Sequence, residues 1–329
     1  MTAPIRWGII GTGDIARQFA EDLPRAENAA LHAVASRREE TARRFADTHG
    51  IPNIRVGYDT LVADPEVDAI YIGTPHTMHL ENALMCLGGN KPVLCEKPMG
   101  INEDQARTMV DEAASRKVFL MEAMWTFFFP AIQKLRELIR AGAIGEVRLV
   151  SASFCFDVPF DPGSRLFNPE FAGGALLDVG IYPIALAQWV YEDEPEAVEG
   201  LARIGESGVD EINSFSLRFP DGGLATLSSG VPVYQPEDAV VAGSEGYIRI
   251  EPPFYQPDAI TLVRGDAEER FAFDRRGYGY HLEAAHAGAC IRDGLTESPV
   301  ASHAESLRLA RTMDRIRERW GLRYPADNH

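Results

Sequence analysis

The sequence predicts an α/β protein with two domains: an N-terminal doubly wound parallel sheet, and a C-terminal α+β domain with a large, mainly antiparallel sheet. Its 329 residues are enough for two domains of about 150 residues each. Up to residue 122, short β-branched runs alternate with helical stretches, which is typical of a parallel sheet covered on both faces. Later strands show period-two alternation, which predicts a sheet with one covered face. We therefore assign 1–122 to the first domain and 123–329 to the second.

Strands and helices alternate along the first domain. Strands are predicted at 6–10, 31–35, 69–72, 92–95 and 118–121, and helices at 14–23, 37–48, 77–87 and 103–116. After a helix at 130–141, strands are predicted at 147–156, 215–219 and 224–229, and helices at 281–292 and 303–320. One of the later strands alternates the apolar residues Phe215, Leu217 and Phe219 with the polar residues Ser214, Ser216 and Arg218. One face of that strand is therefore expected to be buried.

Charge and cysteine content narrow the classes of function. Lys and Arg number 32 against 49 Asp and Glu, and a net charge of −17 repels phosphate backbones and anionic lipid. No uninterrupted apolar run approaches the roughly 18 residues that a membrane span needs. Cys86, Cys95, Cys155 and Cys290 form no C-x-x-C pair, which is typical of buried thiols in a reducing compartment. We expect a cytoplasmic protein without nucleic acid or membrane partners.

A glycine-rich motif, Gly11-Thr12-Gly13-Asp14-Ile15-Ala16, lies directly between the first strand and the first helix. The first glycine allows a tight turn, and the second lets the backbone approach a pyrophosphate. The small third residue lets the helix pack against the strand. In this context the motif predicts a Rossmann fold that binds a dinucleotide. The alternative is a glycine-rich turn with a structural role only.

The end of the second strand indicates which dinucleotide is bound. An NAD site usually has Asp or Glu here to accept hydrogen bonds from the ribose hydroxyls, whereas this chain has Ser36-Arg37-Arg38. A hydroxyl and guanidinium groups can bind a 2′-phosphate, which a carboxylate would repel. The sequence therefore favours NADP over NAD. The alternative is a capping box between Ser36 and Glu39, with both arginines solvated.

Glu96-Lys97-Pro98 follows the strand predicted at 92–95. Ligands of doubly wound sheets lie outside the carboxyl ends of the strands, so Lys97 is expected to point into the cofactor crevice. Lys-Pro pairs are also common in ordinary loops. This motif indicates a cofactor site only because it directly follows a predicted strand.

Several motifs follow one another in a characteristic order along nearly the whole chain. They are Gly11-Thr12-Gly13-Asp14-Ile15-Ala16, Gly73-Thr74-Pro75-His76 with His79, Glu96-Lys97-Pro98, and Gly173-Gly174 through Asp178-Val179-Gly180-Ile181-Tyr182-Pro183. Together they resemble the glucose–fructose oxidoreductase/inositol dehydrogenase/rhizopine catabolism family, Gfo/Idh/MocA. Met121-Glu122-Ala123-Met124-Trp125 and the Asp178-x-x-x-Tyr182 spacing resemble its branch of dimeric dihydrodiol dehydrogenases and NADP-dependent D-xylose dehydrogenases.

The resemblance implies an NADP-dependent oxidoreductase that transfers a hydride between nicotinamide and a carbinol or carbonyl carbon of a sugar, polyol or cyclic trans-diol. Tyr182 would be the acid/base, assisted by Lys97, and Asp178 would orient Lys97 or accept from a substrate hydroxyl. Free tyrosine has a pKa of about 10, so it needs a nearby positive charge to act near neutral pH.

The remaining expected contacts are of two kinds. Cofactor contacts are expected from Gly11, Thr12, Gly13, Asp14, Ile15, Ser36, Arg37, Arg38, Thr74, Pro75, His76, His79, Glu96 and Lys97. An aromatic substrate wall could comprise Trp125, Phe154, Phe156, Tyr278 and Tyr280, although each ring singly is typical of a core residue. Family members commonly pair through the second sheet, which implies a homodimer or higher homo-oligomer.

Other interpretations stay open. Tyr182 could be a half-buried aromatic whose hydroxyl is satisfied elsewhere. His76 with His79, or His281 with Glu283 and His286, have spacings that could chelate a metal, but we expect no metal. The protein could instead be a regulator that binds the dinucleotide without turnover, or a glycosidase that uses NAD for transient oxidation of a sugar ring.

Overall fold

The computed structural model describes residues 3–328, which divide into two compact units. The first contains the chain up to Trp125 together with Arg276–Leu307, and the second contains the intervening residues together with the chain from Arg308. The boundary after Trp125 lies near the domain boundary that we expected after residue 122. The sequence analysis assigned 276–307 to the second domain, whereas the contacts group this segment with the first unit. A buried carboxylate explains this: Asp22 accepts hydrogen bonds from the N–H groups of Gly279 and Tyr280 at 2.6 and 3.0 Å.

Parallel strands and their helices build the first unit. The strands are β1 Ile5–Ile10, β2 Ala29–Ser36, β3 Asn53–Val56, β4 Ala69–Ile72, β5 Val93–Glu96 and β6 Leu120–Ala123. The helices between them are α1 Asp14–Asp22, α2 Glu39–His49, α3 Tyr58–Val62, α4 His79–Gly88 and α5 Glu103–Arg116. The strand order is β3-β2-β1-β4-β5-β6, so the predicted doubly wound parallel sheet is confirmed.

The strand order reverses between β1 and β4, which pair in parallel from Trp7↔Ala69 to Ile10↔Ile72. In open α/β sheets the ligand crevice lies outside the carboxyl ends of the strands at such a reversal. β3 and α3 were not predicted from the sequence. They are short, and the half-exposed residues of β3 show neither a continuous apolar run nor a regular alternation.

A mixed sheet forms the centre of the second unit. Its strands are β7 Val147–Cys155, β8 Ala197–Ile204, β9 Asp210–Arg218, β10 Leu224–Gly230, β11 Ala239–Gly243, β12 Tyr247–Ile250, β13 Ala259–Arg264 and β14 Ala267–Ala272. The order is β14-β13-β12-β11-β7-β10-β9-β8, and β7 and β10 pair in parallel while the other neighbours are antiparallel. Phe215, Leu217 and Phe219 are buried. The predicted mainly antiparallel sheet with a covered face is confirmed.

The later helices are α6 Pro130–Arg140, α7 Ile181–Tyr191, α8 Tyr280–Arg292 and α9 His303–Trp320. A π-helical turn, Leu176–Gly180, leads directly into α7. The segment Pro169–Tyr191 is apolar and long enough to cross a membrane by composition, with mean hydropathy 1.3, but 89% of its most apolar window is buried inside the protein. An apolar helix buried on all sides is typical of a protein core.

Candidate active site

The glycine-rich turn lies at the carboxyl end of β1, beside β4. Gly11 has φ +103°, and a Cβ there would lie 2.7 Å from the carbonyl oxygen of Gly73 at the end of β4. Only glycine accommodates both the backbone angle and this close approach. The turn therefore brings the chain into α1 at the point where the strand order reverses.

The second glycine leaves open space in front of α1. A Cβ on Gly13 would meet no protein atom within 4 Å, so the absent side chain leaves the helix N-terminus accessible. The first N–H groups of a helix have no partners within the helix and carry a partial positive charge. Asp14 is turned toward its own helix, where it accepts from Arg17 and Gln18 at 2.7 and 2.8 Å. Ala16 is fully buried, as expected for the small third residue of the motif. Because the N-terminus of α1 is accessible and carries a partial positive charge, this turn fits a pyrophosphate.

Ser36, Arg37 and Arg38 end β2 as predicted. Ser36 is buried, while both arginines are exposed. Arg38 is the N-cap residue of α2, and no side chain caps this helix, so the alternative capping box is absent from this helix terminus. Burial raises the pKa of Tyr58, and the nearby charge of Arg37 opposes that shift. Guanidinium groups are thus present where a 2′-phosphate would lie, with no carboxylate among the three residues.

The turn after β4 is fixed by a buried histidine. The ring of His79 is fully buried, and its Nδ1 and Nε2 atoms each lie 2.8 Å from a carbonyl oxygen, of Pro98 and Thr74 respectively. Burial lowers the pKa of His79, although the two carbonyl groups oppose that shift. His79 therefore joins the β4–α4 and β5–α5 loops through their backbones. His76 is also buried, with its ring centroid 5.9 Å from that of His79.

Two buried carboxyl groups fix the β5–α5 loop that carries Lys97. Glu96 accepts from the Tyr71 hydroxyl at 2.5 Å and from the N–H of Lys97 at 3.2 Å. Glu122, at the end of the neighbouring strand β6, accepts from the N–H of Met99 at 2.7 Å. Because His79 contacts Pro98, three successive residues of this loop are held by buried side chains.

Burial changes the acidity of both carboxyl groups. It raises the pKa of Glu96 to about 7, and the Tyr71 hydroxyl and the charge of Lys97 limit that rise. Burial also raises the pKa of Glu122, against the effect of a hydrogen bond from Ser306. The carboxyl group of Glu96 is thus engaged by the Tyr71 hydroxyl and the N–H of Lys97, and its predicted contact with a cofactor stays a prediction.

Tyr182 lies on α7, immediately after the π-helical turn that contains Asp178. The turn is fixed by Asp210, a buried residue that accepts from the N–H of Leu176 at 2.7 Å and from the Asn213 amide at 2.8 Å. Gly174 has φ +112°, and a Cβ there would collide with the Asp210 carboxyl group. Burial raises the pKa of Asp210 to about 7. The buried contact between Asp210 and Leu176 therefore fixes the start of the π-helical turn that leads to Tyr182, and we call 176–182 the segment of Tyr182.

Aromatic rings surround Tyr182 within the second unit. Its ring centroid lies 5.4 Å from that of Phe154 and 5.6 Å from that of Tyr255, and Phe154 stacks on Tyr255 at 3.9 Å. Phe156 lies 6.2 Å from Phe154. The Tyr255 hydroxyl donates to Glu237 at 3.4 Å, and burial raises the pKa of Tyr255 to about 12. This cluster offers an apolar surface with polar groups at its margin.

Asp178 forms an ion pair that the sequence analysis did not anticipate. Its carboxylate oxygens lie 2.9 and 3.3 Å from the two terminal nitrogens of Arg165, in a bidentate arrangement. The Asp178 side chain is buried, whereas that of Arg165 is 47% exposed. Part of the guanidinium group of Arg165 is therefore open to solvent, while Asp178 is engaged within its own unit.

The predicted aromatic wall is divided between the units. Trp125 and Tyr280 stack within the first unit, with centroids 4.7 Å apart, and Tyr278 contacts Arg17 there at 3.4 Å. Phe154 and Phe156 belong to the cluster around Tyr182 in the second unit. Within residues 3–328, no group of three or more His, Cys, Asp or Glu side chains could hold a metal ion.

Four residues that shape the site were missed in the sequence: Glu122, Arg165, Asp210 and Tyr255. Glu122 lies within the quoted 121–125 motif, and its position at the end of a parallel strand beside Glu96 could have identified it. Arg165 lies in a loop, Asp210 at the start of β9 and Tyr255 in a turn, and no local pattern distinguishes them.

Sequence models of two domains match the chain. Residues 5–124 match an oxidoreductase family with an NAD-binding Rossmann fold, and residues 132–249 match the GFO/IDH/MocA C-terminal domain. The chain is also 38% identical to the trans-1,2-dihydrobenzene-1,2-diol dehydrogenase of Mus musculus, over 98% of this chain and 99% of that protein.

Two solved structures are similar over most of their length. A 3-ketoreductase from Actinomadura kijaniata in complex with NADP and TDP-benzene is 30% identical, with a TM-score of 0.84 over 96% of this chain and 97% of that chain. An aldose-aldose oxidoreductase from Caulobacter crescentus complexed with glycerol is 25% identical, with a TM-score of 0.88 and the same shares. All three similar proteins are named as enzymes that oxidise or reduce diols, sugars or ketones.

Proposed function

The chain belongs to the Gfo/Idh/MocA oxidoreductase family, and from this premise we propose that it is an NADP-dependent dehydrogenase of a cyclic trans-diol, sugar or polyol. One observation carries the proposal: three adjacent strands, β1, β4 and β5, end in the Gly11–Gly13 turn, the Gly73–Pro75 turn and Lys97. An open α/β sheet binds its ligand at this edge.

Bound NADP would supply the hydride acceptor. Tyr182, as the tyrosinate, would take the proton that the substrate carbinol loses, and in the reverse direction its hydroxyl would return that proton. The ammonium group of Lys97 would stabilise the tyrosinate, which lowers the cost of forming it near neutral pH. Asp178 would act together with Arg165, because the two side chains form a bidentate ion pair.

Arg37 and Arg38 support NADP rather than NAD as the preferred cofactor. Both are exposed at the end of β2, and a charge-assisted bond to a 2′-phosphate is stronger than a neutral one. The similar 3-ketoreductase was solved with NADP, which agrees with this choice.

A cyclic trans-diol is the first substrate to test. The ring of such a compound would pack against apolar side chains such as Phe154 in the cluster around Tyr182. Its two hydroxyls would need polar partners, which Tyr182 and Arg165 can supply. The 38% identical relative carries a diol in its name, which supports the same choice.

We also propose a homodimer that pairs through the open face of the second sheet, in a reducing compartment such as the cytoplasm. Leu149, Leu201 and Leu224 are exposed strand residues, with 37, 82 and 45% of each exposed. Exposed leucines on a sheet favour a protein partner. All four cysteines are free and buried, as expected for thiols that stay reduced.

A substrate panel tests the proposed function. Purified protein is incubated with NADP or NAD and with trans-1,2-dihydrobenzene-1,2-diol, xylose and other aldoses, and the nicotinamide absorbance is followed. We expect substrate-dependent reduction of NADP that is lost in Tyr182→Phe. Binding of NADP without turnover of any compound would indicate a regulator, and hydrolysis of nitrophenyl glycosides without net cofactor reduction would indicate a glycosidase.

A further inference from the structure

Arg165 is an exposed residue whose side chain pairs with a buried one. Its two terminal nitrogens lie 2.9 and 3.3 Å from the two carboxylate oxygens of Asp178. The Asp178 side chain is 8% exposed and that of Arg165 is 47% exposed, so the guanidinium group extends from a buried carboxylate to the surface. Asp178 precedes Tyr182 by four residues on one continuous helical segment, and residues at this spacing lie on the same side of a helix, one turn apart. The ion pair is therefore a neighbour of the proposed acid/base.

The backbone at Arg165 is packed against the two glycines that precede the π-helical turn. A Cβ on Gly173 would lie 2.5 Å from the carbonyl oxygen of Arg165 and 2.7 Å from that of Leu166. The N–H of Gly174 donates to the Leu166 carbonyl oxygen at 2.8 Å. This contact fixes where the Arg165 side chain begins, and Asp178 fixes where it ends. Little side-chain entropy is then left to lose when a ligand binds to the guanidinium group.

The ion pair presents donors and acceptors side by side. A guanidinium group carries five N–H donors and a carboxylate has about four acceptor sites, and a bidentate pair uses two of each. A hydroxyl group is both a donor and an acceptor, so a single hydroxyl can accept from Arg165 and donate to Asp178. Because the carboxylate offsets the charge of the guanidinium group, a neutral hydroxyl matches the pair better than an anion does.

We propose that Arg165 determines specificity for vicinal diols, an inference that rests on the proposed function. The reacting hydroxyl gives its proton to the tyrosinate of Tyr182, while the hydride leaves the same carbon for the nicotinamide. The hydroxyl on the adjacent carbon accepts from Arg165 and donates to Asp178, which holds the guanidinium group in position. A compound with the same ring and one hydroxyl cannot make this contact, and a site built to hydrogen-bond a substrate hydroxyl rejects the analogue that lacks it.

Two alcohols with the same ring test the proposal. Initial rates of NADP reduction are measured with trans-1,2-cyclohexanediol and with cyclohexanol. In Arg165→Met, kcat/KM for the diol should fall about ten- to a hundredfold, chiefly through KM, because a hydrogen bond from a charged donor is lost. The value for cyclohexanol should stay within about threefold of wild type. Arg270→Met is the matched control, because Arg270 forms a bidentate pair with Glu251 in the same unit, at 2.7 and 2.8 Å.

A second variant keeps the test independent of how well the first one folds. Arg165→Lys keeps a positive partner for Asp178 but lacks the planar fork, so its preference for the diol should also fall, by a smaller factor. Thermal unfolding of each variant shows that folded proteins are compared. Equal losses for both alcohols would mean that Arg165 only supports the segment of Tyr182. Such losses, or wild-type selectivity in both variants, would overturn the proposal. If Arg165→Met does not fold, the selectivity of Arg165→Lys decides.

Binding separates a failure of this proposal from a failure of the proposed function. The protein is loaded with NADPH, which cannot accept a hydride, and is titrated with each alcohol in a calorimeter. We expect wild type and Arg270→Met to bind the diol more tightly than cyclohexanol, and Arg165→Met to lose this difference. That result supports recognition by Arg165 even if no compound is oxidised, in which case only the proposed function fails. Wild type that binds the diol no more tightly than cyclohexanol would overturn the proposal, whatever else the protein oxidises.

Discussion

The loop of Lys97 and the segment of Tyr182 are held by different interactions. Around Lys97, buried polar side chains bind the backbone of three successive residues, through Glu96, His79 and Glu122. Around Tyr182, support comes from ring contacts with Phe154 and Tyr255, at 5.4 and 5.6 Å. Polar anchors of that segment lie before Tyr182, where Asp210 binds the N–H of Leu176 and Arg165 pairs with Asp178.

The difference indicates what each region controls. Hydrogen bonds to buried carboxyl groups are directional, so they hold the Lys97 loop in a defined geometry. Ring packing fills volume and is less directional, so we expect the region of Tyr182 to tolerate changes of shape more readily than the Lys97 loop does. We infer that the first region sets the charge at the reacting centre and the second sets which ring is bound.

The largest expected effect is on Lys97. Lys97→Met removes the charge while roughly keeping the chain length, and turnover should fall by at least about 10²–10⁴-fold. Binding of NADP, measured by fluorescence titration, should change far less. Lys117→Met, at an exposed position that ends α5, serves as the control. Wild-type turnover in Lys97→Met would mean that the side chain of Lys97 has no role in the reaction.

Asp210 should make stability depend on pH. Its pKa is raised from 3.8 to about 7 by burial, so the folded protein favours the protonated form. The stabilisation is fully present below about pH 4 and is lost as the pH rises through 7. Relative to Asp210→Asn, the free energy of unfolding of wild type should fall by on the order of 4 kcal/mol over this range.

Urea unfolding of wild type and Asp210→Asn at several pH values measures this difference. A difference that does not change with pH would mean that Asp210 titrates at its ordinary value, and that the anchor of the Tyr182 segment is not sensitive to protons. Glu237, which is exposed to a greater degree in the same unit, offers a comparison in Glu237→Gln.

Cofactor choice should depend on Arg37. A charge-assisted contact contributes about 1.5–3 kcal/mol, so Arg37→Ala should weaken NADP about ten- to a hundredfold and leave NAD unchanged. Arg43→Ala is the matched control, because Arg43 lies on α2, the helix that follows Arg37, and pairs with Glu39 at 2.7 Å. Equal affinities of wild type for NADP and NAD would contradict the assignment.

The smallest effect on catalysis is expected at the open face of the second sheet. Leu201→Arg places a charge in the proposed dimer interface, so light scattering should report a mass near the 36.2 kDa of one chain. Leu295→Arg, on an exposed leucine of the first unit, should leave the dimer intact. If wild type is itself a monomer at micromolar concentration, this interface does not exist.

The first unit could be predicted well because its signals are local. The G-x-G-x-x-A turn, the residues after β2 and the Lys97 motif each lie beside a strand end, and a parallel sheet brings strand ends to one edge. The predicted helices at 103–116 and 303–320 have the same bounds in the structure. The contacts of 276–307 group it with the first unit, and its attachment to Asp22 spans more than 250 residues of sequence, which no local pattern shows.

The second unit could be predicted less completely. α7 is buried along nearly its whole length, so it lacks the polar face that identifies an amphipathic helix. The ion pair of Asp178 with Arg165 depends on the path of an irregular loop, and the contact of Asp210 with Leu176 joins a strand to a helical turn. Neither follows from residue spacing.

The central claim is that Tyr182 carries the proton. Hydride transfer is measured by rapid mixing of wild type and Tyr182→Phe with NADP and with protiated or deuterated substrate. Tyr182→Phe removes a hydroxyl and keeps the ring packing, so the rate of transfer should fall about 10²–10⁴-fold with unchanged affinity for NADP. Tyr191→Phe, on the same helix, should behave as wild type. Turnover of Tyr182→Phe within about threefold of wild type, with an isotope effect showing that hydride transfer limits the rate, would contradict the account.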